Sequence, residues 1–317
     1  MKGKQEILNL NIYLYIIYNY HTRFYPIYPK TLITIKKDCK NQFPENQIKT
    51  SYLKEFNYLK QNIDNDMIHN EKLFENNKLN RYIDIRPYKH NLVKINSKNK
   101  YINASWIHLP SDNFFIATQS PLDTTIEDFW QMCYEYNVSL IVILCQLVEK
   151  NKTKCANYWE GLNVRNFILE NINQEFDIIN GISIRNFQLK KSKNDIFPKF
   201  IIQLHYTHWK DHGVPDLQSY IKLKELIENI DYYRNNAPVV VHCSAGVGRT
   251  GTFIALYNLY IDIIKQIKDI RIREIKFSVM NVVRKLKEMR IYMVENDEQY
   301  LFLYQFVKML LKEYNLI

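Results

Sequence analysis

The chain has 317 residues, enough for one large domain with a full core, and 46% of them are hydrophobic and 14% aromatic, which excludes a disordered protein. Its net charge of +10 would suit an anionic partner, but Lys and Arg are scattered among acids rather than gathered in a dense stripe. The expectation is a generally basic surface without a nucleic-acid partner. The five cysteines (Cys39, Cys133, Cys145, Cys155, Cys243) are odd in number and lack a C-x-x-C pair, which argues against a disulfide framework or zinc site and for a reducing, cytoplasmic setting.

Residues 1–44 read as an N-terminal extension of uncertain structure, and 45–317 as one continuous domain without internal repeats. The opening MKGKQEILNLNIYLYIIYNYH has a basic tip and an apolar stretch. Glu6, Asn9, Asn11 and Asn19 interrupt that stretch, no small-residue cleavage site follows, and no run is long enough to span a membrane. Residues 50–61 have a helical period. The tracts KINSKNKY (94–101) and QLKKSKND (188–195) read as solvated loops. FFIATQSPL (114–122) and VSLIVILCQLV (138–148) read as strands flanking a helix over 123–136. Asn180-Gly181 lies between two alternating runs, a hairpin signal, and 200–209 is a further strand. APVVVHC (237–243) is short and wholly apolar, which suits a central strand covered on both faces. A buried helix follows over 250–267. Val279, Val282, Val283, Leu286 and Met289 recur at helical spacing. Asn296 and Gln299 form a capping-box pattern ahead of a last helix. The fold class is α/β, a single domain with a central twisted mixed sheet flanked by helices.

The stretch VVVHCSAGVGRTGTF (239–253) contains G-x-G-x-x-G in Gly246, Gly248 and Gly251. A dinucleotide-binding turn with that pattern needs a βαβ unit and an acidic residue about twenty positions on. After Gly251 the sequence offers a helix, a charged stretch and another helix, with no second strand. A different chemistry uses more of the residues. A small-residue loop from Cys243 to Arg249 that ends at a helix start can turn its amides inward as an anion nest. The helix end and Arg249 favour the thiolate of Cys243. Arg249 offers a planar fork for two phosphate oxygens.

HCSAGVGRTG resembles the H-C-x5-R-[ST]-G signature of cysteine-dependent protein tyrosine phosphatases, and the likeness extends over about 46–315. NRYIDI (80–85) resembles the phosphotyrosine-recognition loop of that family. YINASWI (101–107), FIATQSPL (115–122), DFWQM (128–132) and KCANYW (154–159) resemble further blocks. HWKDHGVP (208–215) resembles the mobile acid loop that carries Trp209, and ENDEQY (295–300) the loop that positions water. The resemblance implies a phosphatase fold with its Cys-x5-Arg loop between a central strand and a helix. It also implies hydrolysis of phosphotyrosine through a phosphocysteine, in the tyrosine-specific rather than the dual-specificity class.

The roles it implies are these. Cys243 is the nucleophile. Arg249 and the loop Ser244, Ala245, Gly246, Val247 and Gly248 hold the phosphoryl oxygens. Asp211 is the general acid and then the base. Thr250 eases departure of the thiolate, and His242, partnered by Tyr158, tunes it. Glu149 orients Arg249, Lys154 lies near the acid loop, and Glu295 and Gln299 belong to the water-positioning loop. Tyr82 stacks on the substrate ring and sets a pocket too deep for phosphoserine, and Asp84 binds the peptide backbone. No metal or cofactor is implied. The partners are phosphotyrosine-containing proteins or peptides, and nothing in the sequence sets an oligomeric state.

Four positions depart from the family pattern. Lys210 stands in the acid loop where the family usually has proline, which loosens the loop and changes its closure. Glu295 stands where the family has a water-positioning glutamine. Ile83 replaces a basic residue common in the recognition loop, and Leu79 a lysine. Lys210 and Glu295 together raise an alternative, a phosphotyrosine-binding pseudophosphatase with slow turnover.

Overall fold

The computed structural model of the protein describes residues 31–38, 41–62, 74–108, 114–160, 163–164, 167–177, 181–209, 213–215, 217–234 and 236–317. In chain order these form β1 (Ile33–Lys36), α1 (Glu45–Asn62), β2 (Ala104–His108), β3 (Phe114–Thr118), α2 (Ile126–Glu135) and β4 (Leu140–Ile143). Then come β5 (Val148–Glu149), β6 (Lys152–Thr153), β7 (Asn163–Val164), β8 (Phe167–Asp177), β9 (Ile182–Lys190) and β10 (Lys199–Tyr206). The last elements are α3 (Leu217–Tyr233), β11 (Val239–His242), α4 (Gly248–Lys268), β12 (Glu274–Phe277), α5 (Val279–Met289) and α6 (Asp297–Glu313).

The main sheet has eight strands in the order β2-β3-β11-β4-β10-β9-β8-β7. β11 pairs in parallel with β3 and β4, and β4 in parallel with β10, while the remaining pairs are antiparallel. Every residue of β11 and β4 is buried. This is why 237–243 lacks alternation: a parallel strand covered on both faces has no solvent side to mark with polar residues. Because β3, β11, β4 and β10 run the same way, the loops at their C-terminal ends gather on one edge. That edge receives residues 119–125, 144–149, 207–209 and 243–247.

α4 is buried on almost all sides and packs against α5, α6 and β12, and α1 closes over α6. The heptad-like apolar face of α5 is buried through Val279, Val283, Leu286 and Met289. Its N-cap is Ser278, whose hydroxyl accepts from Asn281 N–H at 3.2 Å.

Three sequence expectations are corrected. A strand does follow the glycine stretch: β12. It pairs antiparallel with β1 in a separate two-stranded sheet, so it does not complete a βαβ unit. α3 was not foreseen, although Tyr220, Leu223, Leu226, Ile227 and Ile230 follow a helical period and are buried. The capping box of α6 forms on one side only. Asn296 Oδ1 accepts from Gln299 N–H at 2.8 Å, but Gln299 Oε1 accepts from Glu295 N–H at 2.9 Å instead of from Asn296. The hairpin of β8 and β9 is present, with Asp177 opposite Ile182 and Gly181 at φ +62°, and residues 178–180 of its turn lie outside the described residues.

β1 belongs to the stretch read as an extension, yet Ile35 is buried in the main core and Lys37 Nζ donates to the carbonyls of Ile267 and Asp269 at the end of α4. Ile35→Ala should therefore lower the unfolding free energy by about 2–4 kcal/mol in urea denaturation, whereas an unpacked extension would leave it within about 0.5 kcal/mol.

Candidate active site

The site is built where β11 ends and α4 begins. Cys243 follows the last strand residue, and the loop to Arg249 turns through Gly246 at φ +72°. A Cβ at Gly246 would lie 2.0 Å from the Thr118 carbonyl oxygen, so both the left-handed backbone and the close approach require glycine.

Four successive carbonyls of this loop each have a donor from the surrounding fold. The Cys243 oxygen accepts from His242 Nδ1 at 3.0 Å, and the Ser244 oxygen from Ser120 N–H at 3.0 Å. The Ala245 and Gly246 oxygens accept from the Arg290 guanidinium at 3.1 and 2.8 Å. In a trans peptide the N–H points opposite to the C=O. The amides of Ser244, Ala245, Gly246 and Val247 therefore point away from those donors, as an anion nest demands. The start of α4 adds its own N–H groups, since Val247 at the N-cap offers no side-chain cap.

Arg249 is buried and its fork meets Glu149 in a bidentate pair, Nη1 to Oε1 at 2.7 Å and Nη2 to Oε2 at 3.1 Å. Nη1 also donates to the Trp209 carbonyl at 2.9 Å. Burial works against the charge of Arg249, but Cys243 and Glu149 outweigh it and raise its pKa above the ordinary value. Glu149 is steadied in turn by the Gln146 N–H at 3.0 Å.

His242 is fully buried. The Cys243 carbonyl can only accept, so Nδ1 carries the proton and Nε2 accepts from the Tyr158 hydroxyl at 2.8 Å. Burial brings the His242 pKa down to about 3, so the ring is neutral at neutral pH. Burial also raises that of Tyr158 well above its ordinary value.

Tyr82 is half-buried beside the loop, packed with Ala245, Val247, Ile291 and Tyr292. Its hydroxyl meets Ser244 Oγ at 3.0 Å, and Ser244 Oγ donates to the Lys154 carbonyl at 3.0 Å. Lys154 thus reaches the loop through its backbone. Asp84 and Ile83 are exposed on the same recognition loop. On the opposite flank, a Cβ at Gly248 would lie 2.6 Å from Glu295 Oε2 and 3.1 Å from Gln299 Nε2, which puts both side chains against the helix start beside Arg249. Thr250 is buried, and its hydroxyl has no hydrogen-bond partner among the described residues. Trp209 is buried at the root of the acid loop, with Nε1 donating to the Gly213 carbonyl at 2.9 Å. Lys210 and Asp211 lie outside the described residues. His242 to Thr250, Tyr158, Glu149, Trp209, Glu295, Gln299, Tyr82 and the backbone of Lys154 meet on this one edge, while Asp84 is exposed on the 80–85 loop. Among the described residues no group of three His, Cys, Asp or Glu side chains is suited to hold a metal ion.

Sequence reasoning missed Arg290. Besides the two loop carbonyls, it donates to Ser105 Oγ at 3.1 Å and Asn103 Oδ1 at 2.8 Å, and it is wholly buried. Burial brings its pKa down to about 10, still charged at neutral pH. Asn103 in turn donates to Asn80 Oδ1 and the Ile85 carbonyl, which ties the recognition loop to the same network. Arg81 N–H donates to Gln119 Oε1 at 2.8 Å. Asn80, Arg81, Asn103, Ser105 and Gln119 lie in the blocks quoted above and Arg290 does not, and which atoms they address cannot be read from spacing.

A loop with anchored carbonyls after a buried cysteine, closed by a carboxylate-paired arginine, is the arrangement expected of a protein tyrosine phosphatase. The family model described as Protein-tyrosine phosphatase matches residues 76–308, and the chain belongs to that family, in its tyrosine-specific class. Tyrosine-protein phosphatase non-receptor type 20 of Mus musculus is 33% identical over 282 residues, covering 86% of this chain and 62% of that protein. Its Homo sapiens counterpart is 33% identical over 313 residues, covering 94% and 67%. Receptor-type tyrosine-protein phosphatase eta of Mus musculus is 38% identical over 250 residues, covering 74% and 19%. This chain therefore spans less than two thirds of the mouse non-receptor relative. Among solved structures, one described as "PTPN18 in complex with HER2-pY1196 phosphor-peptides" has a TM-score of 0.72 at 25% identity, covering 83% of this chain and 96% of that one. A second PTPN18 structure also has a TM-score of 0.72, at 27% identity, covering 84% and 96%.

Two outcomes follow from this geometry. Arg290→Met leaves two loop carbonyls without their donor and should cost about 2–4 kcal/mol in chemical denaturation; Arg290→Lys, lacking the fork, should recover only part. Separately, burial brings His205 to a pKa of about 4 and His242 to about 3, against about 6.5 unfolded. Below pH 6.5 the unfolded chain takes up protons that the folded one refuses, so stability present above 6.5 is lost as pH falls toward 4 and 3. Denaturation midpoints should fall steadily from pH 7 to 5, and His205→Gln should flatten that slope.

Proposed function

We propose that this chain hydrolyses phosphotyrosine in proteins, with a phosphocysteine intermediate. The observation that carries the reading is the nest: four loop carbonyls anchored outward around Cys243, closed by Arg249 in its pair with Glu149. The Cys243 thiolate attacks phosphorus in line, an S–P bond forms and the P–O bond to the phenol breaks. Asp211 gives its proton to the leaving phenolate, whose conjugate acid has a pKa of about 10. Arg249 and the turned amides hold the equatorial oxygens as charge develops. A water then attacks phosphorus, Asp211 takes its proton, the S–P bond breaks and inorganic phosphate leaves. Glu295 and Gln299, against the start of α4, are the groups assigned to that water.

Tyr82 sets the depth of the pocket and so favours phosphotyrosine over phosphoserine, and Asp84 holds the peptide backbone. Lys154 frames the site, and Thr250, whose buried hydroxyl lacks a partner among the described residues, is assigned to the departing thiolate. Phosphoproteins of signal transduction are the partner class, supported by the peptide complexes of PTPN18. A reducing, cytoplasmic setting is supported by the free thiols of Cys133, Cys145, Cys155 and Cys243. Residues 45–317 are assigned as the catalytic domain, with β1 from the preceding stretch added to it.

One observation favours a second reading. The Glu295 carboxylate packs against the start of α4 beside Arg249, where an anion competes with phosphate. This supports slow hydrolysis of the intermediate and, at the limit, a phosphotyrosine-binding pseudophosphatase.

A single assay separates the readings. With a phosphotyrosyl peptide the wild type should release dephosphorylated peptide in a pre-steady-state burst and phosphate at the slower steady rate, and Cys243→Ser should be silent. Glu295→Gln should raise the steady rate by roughly tenfold and shrink the burst. Equal rates for wild type and Cys243→Ser would establish the pseudophosphatase, and equal rates on a phosphoserine peptide would overturn the depth assigned to Tyr82.

A further inference from the structure

The end of the sheet opposite the site carries a second feature. β10 runs from Lys199 to Tyr206, so its start lies roughly 25 Å from the edge that holds Cys243. The turn before it and its second residue project Ile196, Phe197 and Phe200 into solvent at 79%, 75% and 60% exposure. Three large apolar side chains in five residues are not a scatter of single exposed groups.

The turn that presents them is built, not loose. Asp195 Oδ1 accepts from Phe197 N–H at 3.0 Å, Oδ2 accepts from Lys191 N–H at 2.9 Å, and Asp195 N–H donates to the Ser192 carbonyl at 3.1 Å. The ring of Tyr134 carries Lys191 Nζ at 4.6 Å and Lys199 Nζ at 5.4 Å, and Lys193 is exposed between them. The end of α2 brings a second basic loop to the same place, because Tyr136 Oη donates to the Lys94 carbonyl and Asn96 N–H donates to the Glu135 carboxylate. The exposed Lys94 and Lys98 stand there. The acids of this end are engaged: Asp195 with backbone N–H groups, Glu135 with the Asn96 N–H at 3.1 Å, and Glu170 with Lys190 at 2.6 Å.

We propose that this end is a docking surface for a bilayer bearing anionic lipid headgroups. Ile196, Phe197 and Phe200 enter the interface, and the lysines of the two loops meet the headgroups. A projecting apolar tip inside a basic rim matches an interface that is anionic outside and apolar just beneath. A nucleic acid would use the lysines but leave the tip in water. A peptide would need a groove, which three projecting side chains do not make. Docked this way, the protein turns its active-site edge away from the bilayer.

Co-sedimentation of the full chain with vesicles tests this. Binding is expected to phosphatidylcholine vesicles containing about 30% phosphatidylserine and not to phosphatidylcholine alone, and it should weaken as salt rises from about 0.1 to about 0.5 M. Ile196→Ser with Phe197→Ser should weaken it about tenfold or more, and Lys191→Ala and Lys193→Ala about fivefold each. An unchanged thermal midpoint is the check that these surface variants fold. Equal partitioning of the apolar double variant and wild type would overturn the proposal. So would failure to bind the anionic vesicles, retention on an RNA column without vesicle binding, or pelleting without vesicles.

Discussion

A trans peptide points its carbonyl and its amide in opposite directions, and the site depends on that constraint. An anion nest needs several successive N–H groups on one face, which leaves the same number of carbonyls on the other. Buried carbonyls without donors are costly, about 1–3 kcal/mol each. The fold supplies the four donors from three places: His242 on the strand, Ser120 after β3, and Nε and Nη2 of Arg290 after α5. Arg290 makes a further point about charge. Arg249 is balanced by Glu149, while among the described residues Arg290 touches only neutral oxygens, from two carbonyls, a hydroxyl and an amide. The uncompensated positive charge behind the nest is that of Arg290, not that of Arg249. A thiolate or a phosphate in the cradle would have it as a nearby counter-charge.

The second organising contact joins the nest to the acid loop. Arg249 Nη1 serves the Glu149 carboxylate and the Trp209 carbonyl together, so one guanidinium links α4, β5 and the root of the 208–215 segment. Trp209 is held at its ring by Gly213 and packs edge-on toward Phe302 of α6. Trp209 and Gly213 are therefore anchored to each other and to the nest. On the other flank Val294 takes a left-handed backbone at φ +58°, unfavourable for a β-branched residue, where Met293 and Val294 pack directly on Gly251.

Much of this was legible in the residues. The apolar run 237–243, the helix of 250–267 and the period of 279–289 follow from burial on two faces, on all faces and on one stripe. Cys243, Arg249 and the small residues between them named the chemistry before any contact was known. The less legible parts share a cause, which is that their partners are remote in sequence. β1 and β12 are short and marginal alone and exist as strands through pairing across more than 230 residues. Gln299 matched a capping box, but its side-chain oxygen turned to the Glu295 N–H, since local spacing states a possibility and packing selects the donor. Arg290 looked like any charged residue at a helix end.

The sequence by itself determined which atoms could do chemistry and where the backbone had to be glycine, because residue type and φ are local properties. Only the tertiary structure decided where the loop's carbonyls found donors, which arginine was neutralised, and that the apolar tip at 196–200 and the lysines of 94–98 share one end. Hydrogen bonds and charge balance depend on distances between segments, and those distances are a property of the packed sheet.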